Sequence, residues 1–143
     1  TRWAYFDASV LMKRYVKEQG SSTARRLLQQ YRFLSSAVAP VEVLSLVDRR
    51  RTLGELTQRD CLAIRSRLRK DHSYWELVEV SEVVLHQAEE LAQRTGLRTL
   101  DAVHLASALT FQAASGLIVP FITADVRQRK VAETMALNLI WVD

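Results

Sequence analysis

The sequence predicts an α/β fold: a three-layer α/β/α sandwich around a central, mostly parallel sheet of about four to five strands. Two features of the chain carry this reading. Short, continuously apolar runs such as 3–6 (WAYF) and 118–123 (IVPFIT in part) are bounded by polar or turn residues, as strands buried on both faces are. Between them lie longer stretches with apolar residues at helical spacing. With 143 residues, 4 glycines and 2 prolines, the chain has room for one domain, 1–143, and none for a linker or low-complexity tail.

The elements follow in order. Trp3 to Phe6 reads as a buried strand ending at Asp7. Ser9 to Glu18 carries Val10, Leu11, Tyr15 and Val16 at helical spacing, and Gly20 ends it. Ser21 or Ser22 caps a second helix running to Tyr31, and Phe33 to Ser36 is a brief strand. Val41 to Arg51 is helical, with Pro40 tolerated at its start and Gly54 closing it. Thr57 caps a helix to about His72, Leu77 to Val80 is a strand, and Ser81–Glu82 opens a helix that stops at Gly96. Thr99 or Leu100 begins a helix to about Ala114, broken by Gly116, and Ile118 to Thr123 is a strand. A helix from Asp125 to Met135 and a strand from Leu139 to Val142 complete the chain.

Composition narrows the chemistry. Hydrophobic residues at 48% and charged residues at 25% are ordinary for a globular domain. One cysteine, Cys61, excludes an intramolecular disulfide and a Cys-rich zinc site, fits a reducing cytosol, and reads as a small core residue. No signal-peptide pattern is expected, because Asp7, Lys13 and Arg14 interrupt the first apolar run. The uncharged stretch 102–124 contains His104, Gln112, Ser115, Gly116 and Pro120, so a helix and a buried strand explain it better than a membrane span. The net charge of +4 would assist binding to a polyanion. Arg49–Arg51 and the 65–70 cluster read equally well as solvated helix faces.

Four acids stand in apolar sequence at element edges: Asp7 in WAYFDAS, Glu42 in APVEVLS, Asp101 in RTLDAVH and Asp125 in FITADVR. Each alone has a plain explanation. Asp7 and Asp125 suit helix N-caps, and Asp101 suits the positive end of a helix dipole. Glu42 is harder to dismiss, since it shares a helical face with Ala39 and Leu46. If the four converge, each pair about 5 Å apart repels by about 3 kcal/mol at an effective dielectric near 20. Such a cluster persists by binding a cation, and hard oxygen ligands select Mg²⁺ or Mn²⁺. Asp7 and Asp125 also stand just past predicted strand ends, where parallel sheets place chemistry. The reaction this suggests is hydrolysis of a phosphodiester by a metal-activated water. No phosphate-binding glycine loop, HExxH motif or Ser-His-Asp order competes. Asp7 has no acidic neighbour and position 9 is serine, which weakens phosphoacceptor and haloacid-dehalogenase readings.

The segments FDASVLMKRYVKE, APVEVLS, LDAVHLASAL and FITAD, in this order and covering nearly the whole chain, resemble the PIN-domain ribonucleases, and most closely the VapC-type toxins of toxin–antitoxin pairs. The resemblance implies a PIN-like fold and an Mg²⁺- or Mn²⁺-dependent endoribonuclease, with Asp7, Glu42, Asp101 and Asp125 as the acidic quartet. Ser9 and Thr123 match supporting polar positions at the rim. His104, three residues after Asp101, could act as ligand or base; because the carboxylates suffice for Mg²⁺, a supporting or packing role is preferred. Implied partners are an RNA substrate, a second copy of the chain in a homodimer, and a VapB-like antitoxin, with no membrane. The antitoxin would lie over the helices at 9–18, 21–31 and after Thr57, with Leu11, Tyr15, Leu27 and Leu28 either lining that groove or filling the core, and an antitoxin arginine entering the acidic pocket. Where family members often carry Gly before the last strand, this chain has Leu137 and Asn138, and Asn138 is expected in the left-handed conformation. The alternative is a catalytically silent PIN-like module that binds RNA or protein.

Overall fold

The computed structural model describes residues 2–135 and 137–143. Its elements are β1 (Trp3–Phe6), α1 (Ala8–Tyr15), α2 (Ser21–Gln30), β2 (Arg32–Ser36), α3 (Ala39–Thr52), α4 (Gln58–His72), β3 (Glu76–Val78), α5 (Glu82–Thr95), α6 (Thr99–Ser115), β4 (Phe121–Thr123), α7 (Val126–Ala132) and β5 (Leu139–Trp141). The strands form one sheet of order β3-β2-β1-β4-β5 in which every pairing is parallel.

Alternation along the central strands divides the core in two. Ala4, Phe6, Phe33 and Ile122 pack beneath the apolar stripes of α1 to α4, through Leu11, Leu27, Val43, Ile64 and Leu68. Tyr5, Leu34 and Phe121 face the other way, against Val84, Ala88 and Leu91 of α5 and the apolar side of α6. Both faces are therefore covered, which is why the strands read as unbroken apolar runs.

The order of the sheet locates the crevice. From β1 the chain builds outward through β2 and β3, then crosses back to lay β4 on the other side of β1. Strand order reverses between β1 and β4, and the loops leaving their carboxyl ends diverge there. Asp7 follows β1 directly and Asp125 follows β4 by two residues, so pairing of these strands brings residues 7 and 125 to one edge.

Local signals mostly held. Thr57 and Asp60 form a reciprocal capping box at the start of α4. Gly96 and Gly116 end α5 and α6 in the left-handed conformation. Several boundaries differ: α3 starts at Ala39 rather than Val41, β3 ends at Val78 rather than Val80, and β4 starts at Phe121 rather than Ile118. α1 stops at Tyr15 rather than Glu18, because Val16 turns extended, the Ser21 hydroxyl donates to its carbonyl, and Lys13 Nζ donates to the Gln19 carbonyl. Those contacts supply by side chains what further helix would supply by backbone. Ser21 consequently lies inside α2, and Gly20 stands at its N-cap. At the other end α7 stops at Ala132, and Asn138 is not left-handed: among the described residues only glycines have positive φ. The Asn138 carbonyl accepts from Phe121 N–H at 2.7 Å, so the residue already belongs to the extended entry into β5.

Leu11, Tyr15 and Leu27, weighed as groove residues, are buried in the core, while Leu28 is half-buried at its margin. No helix among the described residues is long and apolar enough to cross a membrane.

Candidate active site

Asp7 is the N-cap of α1 and is only 1% exposed. Its Oδ1 accepts from the Ser9 hydroxyl and the Val10 N–H, and its Oδ2 accepts from the Thr123 hydroxyl at 2.6 Å. Ser9 and Thr123 each work twice. Ser9 Oγ accepts the Ala124 N–H at 3.0 Å, and Thr123 Oγ1 accepts the Asp125 N–H at 3.0 Å. The turn after β4 is thereby tied to the turn after β1. Burial nevertheless outweighs these bonds and His104 nearby, and pushes the Asp7 carboxyl up from its ordinary 3.8 to about 6. The described residues leave this carboxylate short of positive charge.

Asp101, in the first turn of α6, is also buried, and it is met by a cation the sequence reading overlooked. Arg98, at the N-cap of α6, places Nε 3.1 Å from Asp101 Oδ2 and a terminal nitrogen 3.6 Å from Asp125 Oδ2. One guanidinium therefore bridges two of the four acids. On its other oxygen Asp101 accepts from Gln128 Nε2 at 3.2 Å. Gln128 is buried, and its Oε1 has no hydrogen-bond partner. Asp125 caps α7 through the N–H groups of Arg127 and Gln128. The capping roles considered for Asp7 and Asp125 are thus real, and they aim both carboxylates: a capping side chain must turn toward the helix start, here beside the β1–β4 crevice.

Glu42 lies in the first turn of α3. It does not point into apolar surroundings as its helical face suggested; its side chain is 18% exposed and held by His104. His104 Nε2 and Glu42 Oε1 are 2.7 Å apart, and His104 Nδ1 and the Tyr5 hydroxyl are 2.7 Å apart. A carboxylate can only accept, so Nε2 carries a proton and donates to Glu42; in the neutral ring the phenol, whose own pKa burial raises, donates to Nδ1. The fully buried Tyr5–His104 pair therefore fixes the partly exposed Glu42 from the core side. His104 thus touches Glu42 and Tyr5.

The sequence-predicted residues are joined in links rather than in one closed cage. Thr123 couples Asp7 to the Asp125 backbone, Arg98 couples Asp125 to Asp101, and Glu42 and Asp101 line one cavity of about 290 Å³. Among the described residues no three Asp, Glu, His or Cys side chains close on one point as metal ligands. The donors still suit a hard cation: they are carboxylates with one orphaned amide oxygen beside Asp101, and the buried Asp7 carboxyl is destabilised in its charged form. Arg98 and Gln128 are the site residues that sequence reading missed. Arg98 had a visible signal, standing three residues before Asp101 on one helical face; Gln128 had none.

Comparison with known proteins identifies the family. Residues 4–134 match the PIN domain family. The chain is 33% identical over 138 residues to Ribonuclease VapC46 of Mycobacterium tuberculosis, covering 95% of each protein. It is 38% identical over 109 residues to Ribonuclease VapC49 of the same species, covering 73% of this chain and 74% of the relative. Among solved structures, VapBC2 from Rickettsia felis bound to a promoter DNA fragment superposes with a TM-score of 0.66 at 14% identity over 98% of both chains. A toxin–antitoxin complex from Klebsiella pneumoniae gives 0.63 at 18% identity, covering 87% of this chain and 88% of the other. At those identities the structural matches speak for the fold alone. Family match, sequence relatives and the acids gathered at the β1–β4 crevice point the same way: this chain belongs to the PIN-domain family, among its VapC-type members.

Proposed function

We propose that the chain is a divalent-metal-dependent endoribonuclease and the toxin half of a VapBC-type pair. The observation that carries this is the buried Asp7, held at the crevice with Asp101 and Asp125, its carboxyl pushed up to about 6 by burial and given no ion pair by the described residues. The VapC-named relatives support the substrate class. Asp7, Glu42, Asp101 and Asp125 would hold Mg²⁺ or Mn²⁺, which when bound makes a water acidic enough to attack a phosphodiester and stabilises the leaving oxygen. The protein's own residues set the stage. Ser9 and Thr123 fix the two oxygens of Asp7, the Tyr5–His104 pair holds Glu42, and Gln128 turns Asp101. Arg98 neutralises Asp101 and Asp125 while no metal is present.

Two measurements test this reading. RNA cleavage should vanish in EDTA and return with Mn²⁺ or Mg²⁺. Mn²⁺ should also raise the melting temperature, since ligand at a hundred times its Kd stabilises by about 2.7 kcal/mol. Full cleavage in excess EDTA, or no thermal response to millimolar Mn²⁺, would remove the metal from the proposal.

The proposed partners are a VapB-like antitoxin and a second copy of the chain. An antitoxin guanidinium would compete with Arg98 for Asp101 and Asp125 by charge-assisted bonds. Val83 and Leu85, exposed on α5, are apolar surface available to the homodimer. Co-expression of the cognate antitoxin should restore growth to cells that this chain alone arrests. Failure to bind or rescue would defeat the toxin–antitoxin assignment and leave the nuclease assignment standing.

A further inference from the structure

The three consecutive arginines near the end of α3 look alike in sequence and differ in the fold. Arg50 pairs with Glu18 at 3.2 Å and with Glu55 at 3.7 Å. Arg51 pairs with Asp48 at 2.9 Å. Arg49 makes no ion pair with any described residue. It lies on the same face of α3 as Glu42, Ser45 and Leu46, at the i, i+3, i+4 and i+7 positions of one stripe. That stripe and the start of α6, with Arg98, Leu100 and Asp101, line the 290 Å³ cavity beside the carboxylates. The cavity thus has acids at one end, an unpaired guanidinium at the other, a hydroxyl between them and two leucines on its walls.

A polyanion approaching Asp7, Glu42 and Asp101 meets repulsion even with a metal bound, and a fixed cation on the approach offsets it. Arg98 is already committed to two carboxylates. Arg49 is the free charge, and a seven-residue offset along a helix sets it about 10 Å from Glu42, within the reach of a strand whose cleaved phosphate lies over the acids. The leucine walls suit the apolar face of a ribose or base.

We propose that Arg49 and Ser45 form a phosphate subsite adjoining the carboxylate crevice, in which Arg49 binds a backbone phosphate of single-stranded RNA next to the one being cut. The proposal rests on the ribonuclease reading and adds the residue that seats the substrate. A guanidinium suits a phosphate by two parallel N–H···O bonds, which a lysine reproduces only as charge.

The test is steady-state cleavage of a single-stranded RNA oligonucleotide in Mn²⁺, across 50–200 mM salt, for wild type and the Arg49→Gln, Arg49→Lys and Arg51→Gln variants. Arg49→Gln should raise KM about tenfold with kcat within about twofold, and flatten the slope of log kcat/KM against log salt by about 0.7, the value of one lost single-strand phosphate contact. Arg49→Lys should keep the wild-type salt slope while losing part of the affinity. Arg51→Gln, whose charge is spent on Asp48, should change neither. Mn²⁺ affinity, titrated directly, should be the same in all four proteins. A cleaving wild type matched by Arg49→Gln in KM and salt slope would overturn the subsite alone. A wild type that fails to cut RNA in Mn²⁺ would overturn the subsite together with the ribonuclease reading.

Discussion

Asp101→Asn is expected to lower RNA cleavage by about 10³-fold or more while the protein stays folded, a loss of at least about 4 kcal/mol in transition-state stabilisation. Asp101 is well placed to isolate this effect. It caps no helix, so its structural contacts are the Arg98 ion pair and the Gln128 amide, and an asparagine can keep an acceptor for either. The missing negative charge is then the main change. Circular dichroism and urea unfolding should report a native fold of similar stability, and a Mn²⁺ titration should show weakened binding. Retention of more than a tenth of wild-type cleavage would mean that Asp101 is not part of the catalytic machinery.

Metal-free protein should become less stable between pH 4 and pH 7 because of Asp7, and Asp7→Asn should remove that loss. The carboxyl has a folded pKa of about 6 against an ordinary 3.8, the dominant cause being burial. An acid whose folded pKa is raised holds its proton more tightly in the native state, so the native protein binds more protons in this interval and stability falls as pH rises. The favourable contribution is complete below about pH 3.8 and gone above about pH 6. About two pKa units correspond to about 3 kcal/mol. Urea unfolding in EDTA should therefore show Asp7→Asn gaining on wild type by up to that amount as pH climbs, then holding level. Saturating Mn²⁺ should shrink or reverse the gap, because the ion stabilises the charged carboxylate and has less to bind in the variant. A stability difference that stays flat across this range would show that the carboxyl is not deprived of charge compensation in the native state.

The position of the acids in the chain was legible, and their partners were not. WAYF followed by Asp7, FIT followed two residues on by Asp125, and the helical register of Glu42 and Asp101 are local patterns. Alternation and 3.6-residue periodicity act within one element, so twelve segments, the Thr57 cap and the Gly96 and Gly116 stops could be read from neighbours in sequence. Helix ends were read less well where a tertiary contact decides them. Ser21 bonds back to Val16 to end α1, and the Asn138 carbonyl is taken by Phe121 of the neighbouring strand.

The site itself belongs to the long-range pairings. Thr123 reaches Asp7 across 116 positions and His104 reaches Glu42 across 62, and neither bond exists until β1 lies between β2 and β4 with α6 packed over Tyr5. The sequence by itself determined an α/β domain with four misplaced-looking acids and one resemblance that explains them. Only the tertiary structure decided that Arg98 shields two of those acids, that Gln128 makes a second contact to Asp101, and that Arg49 alone of the three consecutive arginines is left without an ion pair among the described residues. The physical reason is that periodicity assigns a residue to a face, whereas charge compensation depends on which other faces are brought within a few ångströms of it, and sheet order settles that.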